Sequence, residues 1–440
     1  MNRILAIDVG TQSLRVGVLD RDFRVLEKQQ VSYSPKVVSK NRVEIDAEIL
    51  WNAFVDACKQ LVHGKDVEGI SFSTLCPSLV PMDAEGRPIS PMILHLDRRS
   101  YRQALWALDR VGEERFLRTA GNLPIPGGIS LTAILWIKEN IPAVYDRHDV
   151  VFGHAVTFFI KRLTGRFLID PSNASFTGLY ETVQYGDWDG GLLNDLEISR
   201  KKLPELTMSS TVVGELGGRM AGLTGLPRGI PIVIGANDTT CAAVGAGVTE
   251  TGKLMNTSGT GDIRVVCLDR PWAQKDHLLR THAYPNRWLA MRTVGAGGAS
   301  LEWFRNGFCR EMSKEQFYDE YLADVLAISK PSESRFHPFL SGDRHRVRQK
   351  SASFTRLSLG TTREDLLLAM VDGIVSFQVQ GLRRWEQEMT LERNIYHVGG
   401  GASEAYTRYK QRLLKDFKLV QLGETTLIGA ARLGFEAIGE

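Results

Sequence analysis

One short phrase occurs twice in the sequence, and this repeat constrains the fold more than any other feature. Gly10 to Asp20 reads GTQSLRVGVLD, and Gly259 to Asp269 reads GTGDIRVVCLD. Glycine, threonine, arginine, valine, leucine and aspartate recur in the same register, and Leu14 is matched by Ile263. Each copy has the pattern of a turn joined to an apolar strand. A hairpin that returns in the second half of a 440-residue chain predicts a duplicated α/β domain.

The segments that follow each copy support this interpretation. Runs rich in valine, isoleucine and leucine predict strands, which we place at 3–9, 13–20, 24–31, 67–73, 262–268 and 287–294. Longer amphipathic segments predict helices at 47–62, 362–385 and 405–417. Asp46 is the expected N-cap of the first of these helices. Because the chain is too long for one ordinary core, we divide it into an N-terminal domain, 1–245, and a C-terminal domain, 246–440.

Composition excludes several classes of function. The net charge of +3 is small for this length, which gives no reason to expect nucleic acid or an anionic membrane as a partner. The basic segment 344–350 is interpreted as a solvated loop. The five cysteines are scattered, which favours reduced thiols in the cytoplasm. We see no apolar stretch near the ~18 residues of a membrane span, so a soluble cytoplasmic protein is expected.

The residue types of the repeated turn suggest a chemistry. Glycine, threonine and serine at one turn present backbone N–H groups and hydroxyls that can cradle phosphate oxygens. Asp8 ends the strand before the first turn and could hold a hydrated Mg2+ ion, while Arg15 adds a cation. An ordinary β-hairpin would explain the turn residues equally well. Two such turns facing one cleft, however, would hold a nucleotide's phosphates from both sides.

Nearly the whole chain resembles the FGGY carbohydrate kinases, within the actin-like, sugar-kinase and chaperone ATPase superfamily. The segments that carry the resemblance occur in family order: DVGTQSLR, GRFLIDPSNASFTGLY, GDWD, LPELTMSSTVVGEL, GANDTTCAAVGAGV, NTSGTGD, GAGGASLEWF, FHPFLSGDR, ASFTRLSLGTTREDLLLAMVDGI, VGGGASEAY and ETTLIGAARLG. The resemblance implies an α/β fold of two ribonuclease H-like (actin-like ATPase) lobes with a nucleotide cleft between them. It also implies an ATP-dependent sugar kinase.

The resemblance assigns roles to individual residues. Asp238 matches the family's catalytic base, although an aspartate there would also suit a plain helix N-cap. Asp8 matches the aspartate that binds Mg2+ through water. The ATP-binding positions match Gly10, Thr11, Gln12, Ser13, Arg15, Gly259, Thr260, Gly298, Glu302, Gly400 and Gly401. Sugar contacts are expected from Ser78, Asp97, Arg98 and Thr239.

The sequence departs from the family pattern mainly around the sugar. Where xylulose kinases have Gln-Met-His-Gly, this chain has Leu75, Cys76, Pro77 and Ser78, which weakens the case for D-xylulose. Thr239 replaces an asparagine or glutamine that is common after the catalytic aspartate. Three further departures lie at Ala133, Arg356 and Ala405. None of them removes Asp8, Asp238 or either phosphate loop.

The predicted function is transfer of the γ-phosphoryl group of MgATP to a hydroxyl of a small sugar or polyol. A ketopentose such as ribulose or xylulose is the leading substrate class. The alternatives are a nucleotide-gated interaction protein of the actin or chaperone kind, or a catalytically degenerate family member that senses a sugar. The expected partners are the sugar and ATP with Mg2+, with no nucleic acid and no membrane, and a homodimer is one option for the assembly.

Overall fold

The computed structural model describes residues 2–39, 41–328, 332–399 and 403–439. Two six-stranded sheets dominate it. We call the part of the chain built around the sheet with residues 3–9 the first lobe, and the part built around the sheet with residues 254–258 the second lobe.

The part of the chain up to residue 245 contains thirteen strands, ten α-helices and two short 3-10 helices, Gly64–Asp66 and Arg200–Lys202, among the described residues. The strands are β1 (Arg3–Val9), β2 (Ser13–Asp20), β3 (Val25–Ser32), β4 (Lys36–Ser39), β5 (Arg42–Ile45), β6 (Ile70–Thr74), β7 (Ser78–Met82), β8 (Met92–Leu94), β9 (Val151–Gly153), β10 (Leu168–Ile169), β11 (Glu205–Leu206), β12 (Val212–Glu215) and β13 (Pro231–Asn237). The helices are α1 (Ala47–Lys59), α2 (Tyr101–Val111), α3 (Glu113–Ala120), α4 (Leu131–Asn140), α5 (Pro142–Tyr145), α6 (Ala155–Thr164), α7 (Pro171–Ala174), α8 (Gly190–Asp195), α9 (Gly218–Thr224) and α10 (Asp238–Gly245).

The rest of the chain continues with eight strands, five α-helices and one π-helical turn, Gln316–Tyr321, again counted over the described ranges. The strands are β14 (Leu254–Ser258), β15 (Asp262–Leu268), β16 (Leu278–Thr281), β17 (Trp288–Val294), β18 (Arg335–His337), β19 (Ser353–Thr355), β20 (Asn394–Val398) and β21 (Lys418–Leu422). The helices are α11 (Gly298–Phe308), α12 (Leu322–Ala327), α13 (Arg363–Glu388), α14 (Glu404–Leu414) and α15 (Thr425–Ile438).

The two main sheets share one topology, which explains the repeated phrase. Strand β1 pairs antiparallel with β2 and parallel with β6, and β14 pairs antiparallel with β15 and parallel with β20. On one side, β13 pairs parallel with β6, and β21 pairs parallel with β20. On the other side, β3 pairs antiparallel with β2, and β17 pairs antiparallel with β15. Five strands therefore correspond between the sheets. Each copy of the phrase forms the first turn and second strand of its own sheet, as the sequence predicts.

The C-terminal helix α15 returns to the first lobe, which the division at residue 245 does not capture. Leu427 and Ala430 pack in one apolar cluster with Ile4 and Cys241. The helix lies so close to α10 that a Cβ on Gly429 would stand 1.8 Å from the carbonyl oxygen of Cys241. Helix α10 is thus held on the first sheet by the end of the chain.

Helix α13 is an exception to the expectation that no segment is long and apolar enough to span a membrane. Its length and apolar composition would allow it to cross a bilayer, but more than half of its most apolar stretch is buried inside the protein. Leu367, Met370, Ile374 and Val375 are among its buried side chains. A helix of this kind is typical of a protein core.

Candidate active site

The predicted first phosphate loop is the turn between β1 and β2, and neighbouring groups fix its shape. The N–H of Gly10 donates to the carbonyl of Ser13 at 2.9 Å, and the Tyr33 hydroxyl donates to the carbonyl of Gly10 at 2.7 Å. The Tyr33 N–H donates to the carbonyl of Gln12 at 2.9 Å. Within the described ranges the N–H groups of Thr11 and Gln12 have no acceptor. They are therefore available to an anion.

The predicted second phosphate loop is the turn between β14 and β15, and helix α11 supports it. The N–H of Gly259 donates to the carbonyl of Gly261 at 2.9 Å. The N–H groups of Gly298 and Ala299 donate to the carbonyls of Gly259 and Thr260 at 3.0 and 3.1 Å. A Cβ on Gly298 would lie 2.5 Å from the Gly259 oxygen. Gly298 is thus required because α11 begins directly beneath this loop.

A cleft of about 600 Å³ brings the two hairpins together. Arg15 of the first hairpin lines it, together with the second loop, the end of β20 and the start of α15. Its lining residues are Arg15, Thr257, Ser258, Gly259, Gly261, Ile263, Val398, Gly399, Gln421, Leu422, Gly423, Glu424, Thr425 and Thr426. A volume of this size suits a small-molecule ligand such as a nucleotide.

Asp8 lies buried at the end of β1, beside this cleft. Its Oδ1 accepts a hydrogen bond from the Ser73 hydroxyl at 3.0 Å, and its Oδ2 pairs with Arg15. Burial raises the pKa of Asp8, against the opposing effect of the Arg15 guanidinium. Arg15 also pairs with Glu424 at 3.5 Å, which connects the first hairpin to the residues just before α15.

Asp238 is the first residue of α10, but it is not the cap of that helix. Asn237 is the cap, because its side chain accepts the N–H of Thr240 at 3.0 Å. The Asp238 Oδ1 atom accepts the Thr239 N–H at 2.6 Å and the Thr239 hydroxyl at 3.2 Å. Its Oδ2 atom accepts no hydrogen bond from the part of the chain that the structure describes. The N-cap alternative is therefore wrong, and one carboxylate oxygen remains open to a ligand.

The surroundings of Asp238 make its carboxyl a moderately strong base. Burial, followed by the nearby Asp8 carboxylate, raises the pKa of Asp238 to about 7. The hydrogen bonds from Thr239 oppose this rise only in part. A group with a pKa near neutrality can accept a proton at physiological pH.

The two aspartates fit a hydrated Mg2+ ion better than a protein-enclosed metal. Among the described residues no group of three or more histidine, cysteine or acidic side chains could hold a metal. Mg2+, however, usually takes only one or two carboxylates and keeps water and substrate phosphates as its other ligands. Asp8 is near enough to Asp238 to affect its pKa, so the pair supplies a donor set of that size.

Two of the four predicted sugar contacts are structural residues. Ser78 is fully buried; its hydroxyl donates to the Leu75 carbonyl at 2.9 Å and accepts the Ala155 N–H at 3.0 Å, which caps α6. Asp97 is buried in a salt bridge with Arg99 and accepts the Val43 N–H at 2.7 Å. Both predictions are corrected, because these polar groups are already satisfied inside the fold.

The other predicted residues have varied positions. Arg98 is half-buried and Thr239 adjoins Asp238, so both remain candidates for the sugar. Glu302 lies one turn after Gly298, with its carboxylate bound to Arg305 at 2.6 Å. Thr260 is exposed at the tip of its loop, and Ser13 begins β2. Gly400 and Gly401 lie outside the described residues.

Sequence reasoning missed a buried charge pair under the second phosphate loop. Lys410 of α14 bonds to the Asp262 carboxylate and to the Ser258 hydroxyl, the latter at 2.9 Å. Both charged side chains are almost completely buried. Asp262 lies within the repeated phrase itself, but its lysine partner comes from a distant helix, so no local pattern could have found the pair.

The comparisons with known proteins agree with this geometry. The profile of the FGGY family of carbohydrate kinases, N-terminal domain, matches residues 3–245. The chain belongs to the FGGY family of carbohydrate kinases. It is a sugar kinase, and ATP is its phosphoryl donor. A xylulose kinase from Staphylococcus xylosus is 26% identical over 410 residues, which cover 91% of this chain and 83% of that protein.

Solved structures of FGGY kinases have the same fold. A ligand-bound xylulose kinase from Lactobacillus acidophilus superposes with a TM-score of 0.90 at 19% identity, covering 100% of this chain and 90% of the other. A gluconate kinase from the same organism gives a TM-score of 0.89 at 20% identity, with coverages of 99% and 89%. The two actin-like lobes expected from the sequence are therefore confirmed.

Proposed function

We propose that this enzyme transfers the γ-phosphoryl group of MgATP to a hydroxyl of a small sugar with Asp238 as general base. The observation that carries the proposal is the Asp238 carboxylate, which has one open oxygen and a pKa raised to about 7 by burial and by Asp8. The sugar O–H bond breaks as its proton passes to Asp238. The hydroxyl oxygen then bonds to the γ-phosphorus, and the bond from that phosphorus to the departing ADP breaks.

We further propose that the two hairpins hold the phosphates. The N–H groups of Thr11 and Gln12 would bind phosphate oxygens from one side, and Gly259 and Thr260 would approach from the other. Arg15 would neutralise developing charge in the shared cleft, which it lines. Mg2+, held by Asp8 through water, would supply further charge neutralisation when bound. Gly298, and one turn further Glu302, would support the second loop beside the nucleotide.

The proposed division of labour follows the two lobes. Residues 1–245 would supply the base, the first phosphate loop and the sugar site, and residues 246–440 the second loop and the adenosine site. Helix α15 is the exception, because it packs on the first sheet. Closure of the lobes would exclude water and limit futile hydrolysis of ATP. A cytoplasmic location fits such an enzyme.

We propose a ketopentose as the first substrate class to examine, because the curated relative at 26% identity is named a xylulose kinase. The residues Leu75 to Ser78 favour another ketopentose over D-xylulose itself. Cys76 is the half-buried member of this stretch, whereas Leu75, Pro77 and Ser78 are buried. Specificity must therefore come mainly from side chains elsewhere around Asp238.

The test is a coupled ADP-release assay with MgATP and a panel of ketopentoses, polyols and their derivatives. Asp238→Asn should lower kcat by about 10²- to 10⁴-fold for any sugar that the wild type phosphorylates. Asp109→Asn is the matched control, because Asp109 is an exposed carboxylate on α2 of the same lobe. Turnover that survives unchanged in Asp238→Asn would exclude this base. MgATP binding without turnover of any sugar would favour the sensor alternative.

A further inference from the structure

Three arginines from distant parts of the chain converge on one glycine pair between the lobes. Arg98 follows β8 in the first lobe, Arg280 lies in β16, and Arg344 belongs to the segment that the sequence suggested was a solvated loop. All three surround Gly127 and Gly128, just before α4.

Backbone carbonyl groups hold each guanidinium in place. Arg280 donates to the carbonyls of Ser175 and Gly128 at 2.9 and 3.0 Å and is only 1% exposed. Arg98 donates to the carbonyls of His95 and Asp97 at 2.8 and 2.9 Å.

Arg344 reaches the same place from the second lobe, donating to the Gly127 carbonyl at 3.4 Å. Gly127 has a φ of +66°, and a Cβ there would lie 2.0 Å from the Arg98 Nη1 atom. The glycine therefore admits the cations where any other residue would displace them.

Within the described parts of the chain none of the three arginines forms a salt bridge, although the nearby Asp97 carboxylate raises the pKa of Arg98 against the effect of burial. Asp97, the carboxylate next in sequence, is already bound to Arg99. The Nε atoms of Arg280 and Arg344 are buried without a hydrogen-bond acceptor. Charged donors left unpaired inside a protein are costly, so this arrangement calls for an anion.

The charges of the other two arginines affect the ionisation of Arg344. Burial, followed by the charges of Arg98 and Arg280, lowers the pKa of Arg344 to about 9. Burial also lowers the pKa of Arg280 to about 9 and that of Arg98 to about 10. All three stay protonated at neutral pH. Burial, with Arg344 and Arg98, lowers the pKa of the adjacent His95 to about 3, so this ring is neutral.

One segment of the first lobe, residues 172–175, contacts both the arginine cluster and the residue before the proposed base. Cys76 lies against the same segment, with its Sγ atom 4.0 Å from the Asn173 carbonyl oxygen. Burial, followed by Asp238, raises the pKa of this thiol, and Arg280 opposes the rise. At one end of this segment the Ser175 carbonyl accepts a hydrogen bond from Arg280. Three residues earlier, the Ser172 hydroxyl accepts the N–H of Asn237 at 2.9 Å. The segment 172–175 therefore connects the arginine cluster to the residue directly before Asp238.

We propose that the substrate is an anionic sugar, a sugar acid or a sugar phosphate, whose charged end is bound by Arg98, Arg280 and Arg344. This inference rests on the proposed function for the position of the reacting hydroxyl, and it replaces the neutral ketopentose by a charged relative. Guanidinium groups are suited to carboxylate and phosphate because their N–H donors match two oxygens at once. The anion also explains why two lobes contribute cations: it would draw them together as the substrate binds.

The experiment compares substrates that differ at one end only. The pairs are xylitol with D-xylonate, and D-glucitol with D-gluconate or D-glucitol 6-phosphate, assayed by ADP release beside D-ribulose and D-xylulose. The anionic members should have kcat/KM values at least about 30-fold above their neutral partners. A preference for the carboxylate or for the phosphate identifies the anion. Equal or better turnover of the neutral members would overturn the proposal.

Two variants test the arginines directly. Arg344→Gln should lower kcat/KM for the anionic substrate by about 30-fold or more and change that for a neutral polyol by less than about 3-fold. If Arg344→Gln fails to fold, Arg98→Gln should lower kcat/KM for the anionic substrate by more than it lowers kcat/KM for the neutral polyol, which Arg98 could also contact. The control is Arg348→Gln, which removes one positive charge from an exposed side chain of the same segment. Equal losses for charged and neutral substrates would mean that the arginines serve only the fold.

Calorimetric binding of D-gluconate and D-glucitol 6-phosphate to the Asp238→Asn protein separates this inference from the proposed function. An anion that binds, and binds more weakly after Arg344→Gln, supports the site even if no sugar is phosphorylated. If the enzyme phosphorylates a neutral ketopentose and Arg344→Gln does not change that rate, the proposed kinase activity stands and the proposed anion site is refuted.

Discussion

Replacing Asp238 by asparagine should make the protein less active and, above neutral pH, more stable. The asparagine side chain has the same size as the aspartate. It keeps an oxygen that can accept the Thr239 N–H, a hydrogen bond of 2.6 Å in the wild type. It removes only the charge. A carboxyl with a pKa of about 7 in the folded protein and 3.8 when unfolded opposes folding once it must ionise.

The size of the effect follows from that difference. At 1.36 kcal/mol per pKa unit, ionisation of Asp238 lowers the free energy of unfolding by at most about 4 kcal/mol. Solvent screening of the half-buried carboxylate reduces this penalty to about half. The folded pKa is raised, so the penalty is absent below the unfolded pKa. It grows as the pH rises from 3.8 to about 7, and is constant above that.

The assay is urea unfolding of wild type and Asp238→Asn at pH 5, 6, 7 and 8. The stability gain of the variant should increase by about 1–3 kcal/mol between pH 5 and pH 8. Glu404→Gln is the control, because this first-turn carboxylate of α14 is exposed and should give no such trend. A gain that does not change with pH would refute the raised pKa, and with it the case that Asp238 is poised to act as a base.

Three other substitutions test separate parts of the site. Thr239→Val removes a hydroxyl that stabilises the ionised base, so the acid-side inflection of the pH profile of kcat/KM should rise by about half to one unit; Thr239→Ser should leave it in place. Lys410→Met leaves the buried Asp262 carboxylate unpaired and should destabilise the protein by about 3–5 kcal/mol in thermal or urea unfolding, a loss that a second change, Asp262→Asn, should partly restore. Gly127→Ala should lower the melting temperature, since a positive φ and the adjacent arginine exclude a Cβ; Gly190→Ala, where a Cβ meets open space, should be tolerated.

The sequence predicted the local structure well where short-range chemistry decides it. The predicted strands 3–9, 13–20 and 262–268 have the observed bounds. Asp46 caps α1 by accepting the Glu48 N–H at 2.9 Å. Alternating apolar residues and capping side chains act within a few positions, so they can be read without the fold. The helix predicted to 62 nevertheless ends at Lys59, because helix ends are set weakly by sequence.

The sugar side could not be predicted in the same way, because distant contacts decide which neighbour is structural. Asp97 and Arg98 are adjacent, yet Arg99 takes the Asp97 carboxylate and leaves Arg98 turned toward Gly127. Arg344 looks like part of an exposed basic segment, and Arg346 and Arg348 are indeed exposed. Only the packing of the second lobe against the first turns one arginine of that segment inward.

The duplicated hairpin carries different charges in its two copies, and this asymmetry matches what phosphoryl transfer requires. In the first copy Asp8 lies opposite Arg15; in the second, Asn256 lies opposite Arg264 and accepts its hydrogen bond at 2.9 Å. The negative charge of the first pair is replaced by a neutral amide in the second.

The second loop does contain an acid, Asp262, but Lys410 neutralises it from below. A second free carboxylate there would repel the phosphates that both loops must hold. Asp8 of the first copy is paired with the partly exposed Arg15 rather than with a buried lysine, so it is the carboxylate that we propose for Mg2+. Its charge also raises the pKa of Asp238, the proposed base. In the proposed mechanism, duplication would provide two phosphate loops, and the loss of one acid would confine Mg2+ and the proton transfer to the side of the first copy.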